Sequence, residues 1–239
     1  MMKPRSKFPI VKAAVVGASA LLLGACSSVF YDARKTIEYA FEERPDVSFT
    51  QEELEQMPYT VFYGQIEGQQ RTAVILGFAD WTNEIPRLSW VSGGRQSLST
   101  EYARIISTSG LDRDLVAMSD ISDDPLRCLV RDSNNCTTQW IRQIDMEGDG
   151  DSRGVTSGTE TIISDFTVYG PETLMLPMGE EKQVYRVEEE GRFVFARQDF
   201  NNTFWIEPDG HVVKSKQVMM PNTFAIELTQ VKWVGRDGN

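Results

Sequence analysis

The chain is 239 residues long, 41% hydrophobic and 10% aromatic, with 24 Lys+Arg against 35 Asp+Glu and a formal charge of −11. This composition excludes a collagen, a coiled coil and a mostly disordered chain. The acidic balance argues against a nucleic-acid binder, which needs a basic face to displace phosphate counterions. A single histidine excludes any site that needs two, and three cysteines are too few for a disulfide-dense scaffold.

The first twelve residues carry Lys3, Arg5, Lys7 and Lys12 and no acid, and an apolar run follows from Ala13 to Leu23. Eleven residues make a helix of about 16 Å, short of the ~30 Å hydrocarbon core, so the run reads as a secretory signal rather than a membrane span. The next residues, Leu23-Gly24-Ala25-Cys26, resemble the bacterial lipoprotein signal: an aliphatic residue, two small ones, then cysteine. In such proteins the signal is cut before the cysteine, here Cys26, and the thiol and new amine are fatty-acylated. Buried acyl chain is worth ~0.8 kcal/mol per methylene, so several chains on one residue give stable anchoring. Ser27 after the cysteine, rather than Asp, implies sorting to the outer membrane, facing the periplasm. Loss of residues 1–25 removes four positive charges and no negative one, taking the chain from −11 to −15. The mature body is therefore expected to need its lipid to stay on a membrane.

The chain then divides into a tether and short helix over 26–48 and a single β-rich periplasmic domain over 49–239. Ala33, Ile37, Ala40 and Phe41 fall at helical spacing, and Arg44-Pro45 ends that pattern. Thr50-Gln-Glu-Glu53 matches a capping box for a second short helix, with Phe49 and Leu54 placed as a staple. After Pro58 the pattern turns to period two. Strands are expected over Tyr59–Ile66, Arg71–Phe78, Arg87–Val91 and onward from Gln96 across a Gly93-Gly94 hairpin. More follow over Leu111–Met118, Thr137–Ile144, Thr159–Tyr169, Gln183–Val187, Arg192–Gln198, Asn202–Glu207 and His211–Val218. In the last run Phe224, Ile226 and Leu228 alternate inward before Val231 and Trp233 take the opposite parity, which predicts a β-bulge near Thr229-Gln230. About eleven strands without interleaved helices predict an all-β fold. It would be a mainly antiparallel barrel-like or sandwich sheet with one or two short N-terminal helices.

Once Cys26 is acylated, Cys128 and Cys136 remain, on either side of Asp132-Ser-Asn-Asn135. In the oxidising periplasm a disulfide is expected, closing a nine-residue loop worth roughly 2.5 kcal/mol; the alternative is two thiols that point apart. Two thiols and the distant His211 do not complete a tetrahedral zinc site. Asp145, Glu147, Asp149 and Asp151 resemble the start of a calcium loop, but Thr156 stands where the bidentate Glu is needed, so a solvated hairpin tip is expected. His211 follows Asp209-Gly210 at a hairpin tip and is read as an exposed strand-start residue. No Gly-x-Ser-x-Gly elbow or phosphate loop is present. The five tryptophans are Trp81, Trp90, Trp140, Trp205 and Trp233. Aromatic faces stack on sugar rings and also fill β cores, so each has both readings; Trp90 and Trp205 are the candidates for glycan or partner contact. No catalytic residue, metal site or cofactor beyond the lipid on Cys26 is expected.

Several segments together resemble one family, the group 4 capsule lipoproteins (GfcB/YjbF). They are Met57–Tyr63 leading to Val74–Gly77, the Gly93-Gly94-Arg95 hairpin, Asp124-Pro-Leu126, Glu172-Thr-Leu174, Asn202-Thr-Phe-Trp-Ile206, Gly210–Gln217 and Ile226-Glu-Leu228. The Asn-Thr-Phe-Trp segment is the most specific of these. The resemblance implies a mostly β, barrel-like lipoprotein on the periplasmic face of the outer membrane. It would act as an accessory or interaction protein in capsule or exopolysaccharide assembly and export, not as an enzyme. The implied partners are a soluble periplasmic protein and an outer-membrane β-barrel protein. The alternatives are a glycan-binding module that contacts the exported polysaccharide and a polysaccharide-modifying enzyme. The chain departs from the family pattern by the Cys128–Cys136 loop, which looks like an insertion, and by the acidic tip at 145–151.

Overall fold

The computed structural model describes residues 46–82, 85–148 and 157–235. Cys26, the signal segment and the helix expected over 27–43 lie outside these residues, as do Asp149, Asp151 and Thr156. A short helix α1, Gln51–Gln56, comes first, and its capping box is formed. The Thr50 side chain accepts from the Glu53 N–H, and the Glu53 carboxylate accepts from the Thr50 N–H at 2.8 Å.

Twelve strands follow: β1 Val61–Ile66, β2 Thr72–Asp80, β3 Arg87–Ser92, β4 Ser97–Glu101, β5 Arg104–Ser109 and β6 Arg113–Met118, then β7 Gln139–Gly148, β8 Gly158–Met175, β9 Glu181–Phe193, β10 Gln198–Ile206, β11 Val212–Gln217 and β12 Ile226–Lys232. They form one antiparallel sheet ordered β5-β4-β3-β2-β1-β12-β11-β10-β9-β8-β7-β6, curled into a nearly closed barrel. The all-β expectation holds. The runs expected over Gln183–Val187 and Arg192–Gln198 are one strand, β9, paired residue by residue with β10 from Phe193 to Tyr185. Glu188-Glu-Glu-Gly191 reads as a break by composition, but its inward member, Glu189, finds charged partners inside the barrel. The true turn lies at 194–197, with Arg197 at φ 55°.

The sheet's two edges, β5 and β6, face each other. No backbone ladder joins them; side chains do. The Leu115 N–H donates to Thr108 Oγ1 at 2.9 Å, and the Thr108 hydroxyl donates to Asp114 at 2.8 Å. Strand addition, one way a sheet can dock a partner, would have to enter between these two facing edges.

Two apolar clusters fill the interior. One includes Phe62, Trp90, Ile105, Phe193, Phe200, Met219 and Met220. The other joins Phe166, Val187, Phe204 and Ile206 to Leu126 and Leu129 of the β6–β7 connection. That connection folds into one end of the barrel, the end that also carries the β2–β3, β4–β5 and β10–β11 connections. A disulfide joins Cys128 and Cys136, with Cα atoms 5.5 Å apart, and ties the connection to itself.

Candidate functional site: the barrel mouth and the charges beside it

At the same end of the barrel lies a cleft of about 580 Å3 between β11, β12, β1, β2, β3 and β4. Two β-bulges shape it. Along β2, Leu76 pairs with Trp90, but the next pair is Phe78 with Ser89, so Gly77 is an extra residue. Without it, the alternation from Val74 and Leu76 would turn Phe78 and Asp80 inward. With it, Phe78 stands outside, 65% exposed, and Ala79 and Trp81 line the cleft instead. A small side chain thus replaces a ring where the mouth opens.

Along β12, Gln230 faces Phe62 and Lys232 faces Val61, which makes Val231 the extra residue. This is the bulge expected near Thr229-Gln230. It delivers Trp233 into the cleft, with its ring centroid 6.0 Å from Phe62 and 6.2 Å from Trp90.

The cleft walls are mostly apolar: Phe62, Val74, Leu76, Leu88, Trp90 and Leu228. The three buried wall hydroxyls each already accept a protein hydrogen bond. Thr100 accepts from Trp90 Nε1 at 3.0 Å, Ser215 from Gln217 Nε2 at 2.9 Å, and Thr60 from the Val234 N–H at 3.0 Å. The rim is more polar. Asp209 Oδ1 accepts from the His211 N–H at 3.0 Å. The His211 ring is not the exposed group the hairpin position suggested. It is half-buried, with Nε2 2.6 Å from Gln230 Oε1 and its edge on Trp233 at 4.5 Å. The Arg131 guanidinium, reaching over from the β6–β7 connection, donates to the Tyr102 hydroxyl.

Beside the cleft lies a charged network that sequence reading does not find. Arg104 of β5 grips Asp124 with Nε at 2.8 Å and Nη2 at 3.2 Å. Its Nη1 donates to Glu189 of β9. From the other side Glu189 accepts from Arg142 of β7 at 2.7 Å, from the Ser164 hydroxyl of β8 at 2.8 Å and from the Asn202 amide of β10 at 2.9 Å. All four charged side chains are at most 2% exposed. Burial by itself would raise the Glu189 carboxyl, but the Arg104 and Arg142 guanidiniums overcome it and hold Glu189 at about 2. Burial likewise pulls down Arg104, and Asp124 and Glu189 more than reverse this. The Arg142 guanidinium is lowered, chiefly by its burial. Two positive and two negative groups balance in a volume closed to solvent. The arrangement ties β5, β7 and β9 to the β6–β7 connection.

Of the residues singled out from sequence, Trp90 and Trp205 are not brought together. Trp90 is buried inside the barrel as a cleft wall. Trp205 sits on the outer face of β10 against Leu176, Val184 and Val213, with Nε1 donating to Glu172 at 3.1 Å and the Lys214 ammonium 5.3 Å above the ring. Cys26 lies outside the described residues. Among the described residues no cluster of three potential metal ligands occurs. Asp145 accepts from the Thr159 hydroxyl at 2.6 Å.

The model of one protein family, described as "Group 4 capsule polysaccharide lipoprotein gfcB, YjbF", matches residues 34–231. The chain belongs to this family. Two curated GfcB/YjbF relatives come from Escherichia coli strain K12. An uncharacterized lipoprotein, GfcB, is 25% identical over 216 residues, covering 89% of this chain and 94% of GfcB. A second, YjbF, is 25% identical over 212 residues, covering 89% of this chain and 93% of YjbF. Among solved structures, the hypothetical lipoprotein YmcC from Escherichia coli K12 superposes with a TM-score of 0.65 at 25% identity. That match covers 76% of this chain and 87% of YmcC. Membership in the GfcB/YjbF family makes the chain a lipoprotein with a capsule-related role.

The segments that carried the resemblance fall at structural joints. Asp124 caps the turn at Pro125–Arg127 and pairs with Arg104. Asn202 bonds Glu189 and also accepts from the Val218 N–H at 2.6 Å, tying β10 to the end of β11.

Proposed function

We propose that the chain is an accessory protein of capsule or exopolysaccharide assembly and export. It is held by the lipid on Cys26 to the periplasmic face of the outer membrane and works by binding rather than by turnover. The observation that carries this reading is the preformed cleft at the barrel mouth. It has the mixture of apolar walls and a sparse polar rim that suits a binding site. Its carboxylate and imidazole are engaged in holding the β10–β11 turn and Trp233, not aimed together at a common point as general acid–base work requires. The export partners are the soluble periplasmic and outer-membrane β-barrel companions that the family resemblance implies. Direct glycan contact through Trp90 and Trp205 is the weaker reading, because each indole N–H is taken by the protein and the rings lie on opposite faces of the sheet.

The test is Cys26→Ala in a strain lacking the native copy. The protein should leave the membrane fraction and surface polysaccharide should fall. Full polysaccharide output from a soluble protein would overturn the anchored role. In a pull-down from detergent extract of cells carrying the acylated protein, recovery of export proteins supports the reading. Recovery of polymer alone, lost on Trp205→Ala, would replace it with the glycan-binding one.

A further inference from the structure

We propose that the mouth cleft holds the hydrocarbon tail of an amphiphile, alkyl or isoprenyl, with the head at the polar rim. This deepens the binding reading above and rests on it. The walls decide the ligand class. A saccharide needs many convergent hydrogen-bonding groups, because each sugar hydroxyl taken from water without a partner is costly. Here the inner wall is Val74, Leu76, Leu88 and Leu228 with the rings of Phe62 and Trp90. The three hydroxyls among them already accept protein hydrogen bonds. The other polar lining residues are Asp209, His211, Tyr102, which takes a hydrogen bond from Arg131, and Lys214, whose ammonium is turned to Glu227 and Trp205 on the outer face. Apolar within and polar at the lip is the profile of a tail site in a β-barrel mouth.

The Gly77 bulge supports the same reading. It keeps Phe78 out of the lumen and puts Ala79 there, so space is left where the strand's own alternation would have filled it. Trp81, 72% exposed, stands at the entrance as an apolar wall that the described residues leave uncovered.

Hydrocarbon burial makes a quantitative demand. Each methylene should tighten binding about fourfold. The mature acylated chain in lipid nanodiscs is dialysed to equilibrium against hexyl, heptyl and octyl β-glucoside below their micellar concentrations. Binding is referred to the free aqueous concentration, and protein-free discs of the same lipid serve as the blank. Saturable binding should rise about 15-fold from hexyl to octyl. It should vanish in Ala79→Phe, which places a ring in the empty space, and weaken several-fold in Trp81→Ala. Unchanged thermal melts would show that both variants fold. Octyl phosphate carries the same tail under another head, so its affinity against octyl glucoside separates phosphate-headed from sugar-headed sources. Equal binding in wild type and Ala79→Phe, or tail-less maltohexaose binding as tightly as octyl glucoside, would overturn the assignment. If these fail while Cys26→Ala still lowers polysaccharide output, the tail assignment falls alone. If that phenotype also fails, the accessory reading falls with it.

Discussion

Glu189 accepts from two arginines, a serine and an asparagine drawn from four different strands, and it is wholly buried. Removing one partner of such a set leaves uncompensated charge in a low dielectric, which costs about 3–5 kcal/mol. Glu189→Gln should therefore lower the unfolding free energy by that amount, read as a lower urea midpoint at unchanged m-value. A loss under about 1 kcal/mol would mean that the network does not brace the barrel. The same group sets an acid limit. Its folded pKa of about 2 lies below the ordinary 4.5, so its stabilisation is complete above pH 4.5 and is lost as pH falls toward 2. The loss over that window is about 3 kcal/mol, and Glu189→Gln should lack it. Arg104, Arg142 and Glu189 were invisible to pattern reading for a physical reason. An inward polar residue looks the same as a turn residue until its partners, 47 and 85 positions away in sequence, are placed beside it. The one available signal was parity: Val187, Glu189, Gly191 and Phe193 keep one face of a strand if the run is not broken.

At the scale of elements, the alternation of apolar residues was legible wherever a strand buries one face. The parity change at Val231 gave the bulge in β12 directly. The matching bulge at Gly77 was hidden because Ala73 to Phe78 is apolar on both faces, so no change of parity shows. The cleft was unreadable for that reason, although Trp81 and Trp233 were both in view. The β6–β7 connection is the element most dependent on its own staple. It carries Asp124 to Arg104 and Leu126 into the core, and three short turns and no strand give it little other order. Replacing Cys128 and Cys136 with serine should cost roughly 2.5 kcal/mol. Intact mass under non-reducing conditions, with and without thiol labelling, reports the bond itself. Two labelled thiols in the unreduced mature protein would contradict it. A denaturation midpoint unmoved by the double substitution would show that the connection is held by its packing alone.

For the whole molecule the decisive feature is how the sheet ends. A twelve-strand sheet with open edges invites edge-to-edge pairing with other chains, and a lipoprotein concentrated on a membrane surface would meet many copies of itself. The seam between β5 and β6 is held through one carboxylate. Asp114 accepts from the Thr108 hydroxyl at 2.8 Å and from the N–H groups of Gly110 and Leu111 at 2.9 and 3.2 Å. The Thr108 hydroxyl, fixed in this way, takes the N–H of Leu115, which is wholly buried. Asp114→Ala releases all of these at once. Hydrogen bonds to a charged group contribute about 1.5–3 kcal/mol each, and water replaces some of them at this half-exposed site, so a loss of roughly 2–4 kcal/mol is expected. The more telling readout is local. Hydrogen exchange at the Leu115 amide should accelerate at least tenfold while the amides of β9 and β10, deep in the continuous sheet, keep their protection. The opened edges should also drive concentration-dependent association, visible by light scattering. Unchanged exchange at Leu115 in a monomeric Asp114→Ala protein would show that the barrel stays shut without this carboxylate. The closing force would then have to come from links such as Gln217 of β11, whose side chain reaches β5 through the Ile105 N–H at 3.1 Å and the Ala103 carbonyl just before it at 2.7 Å.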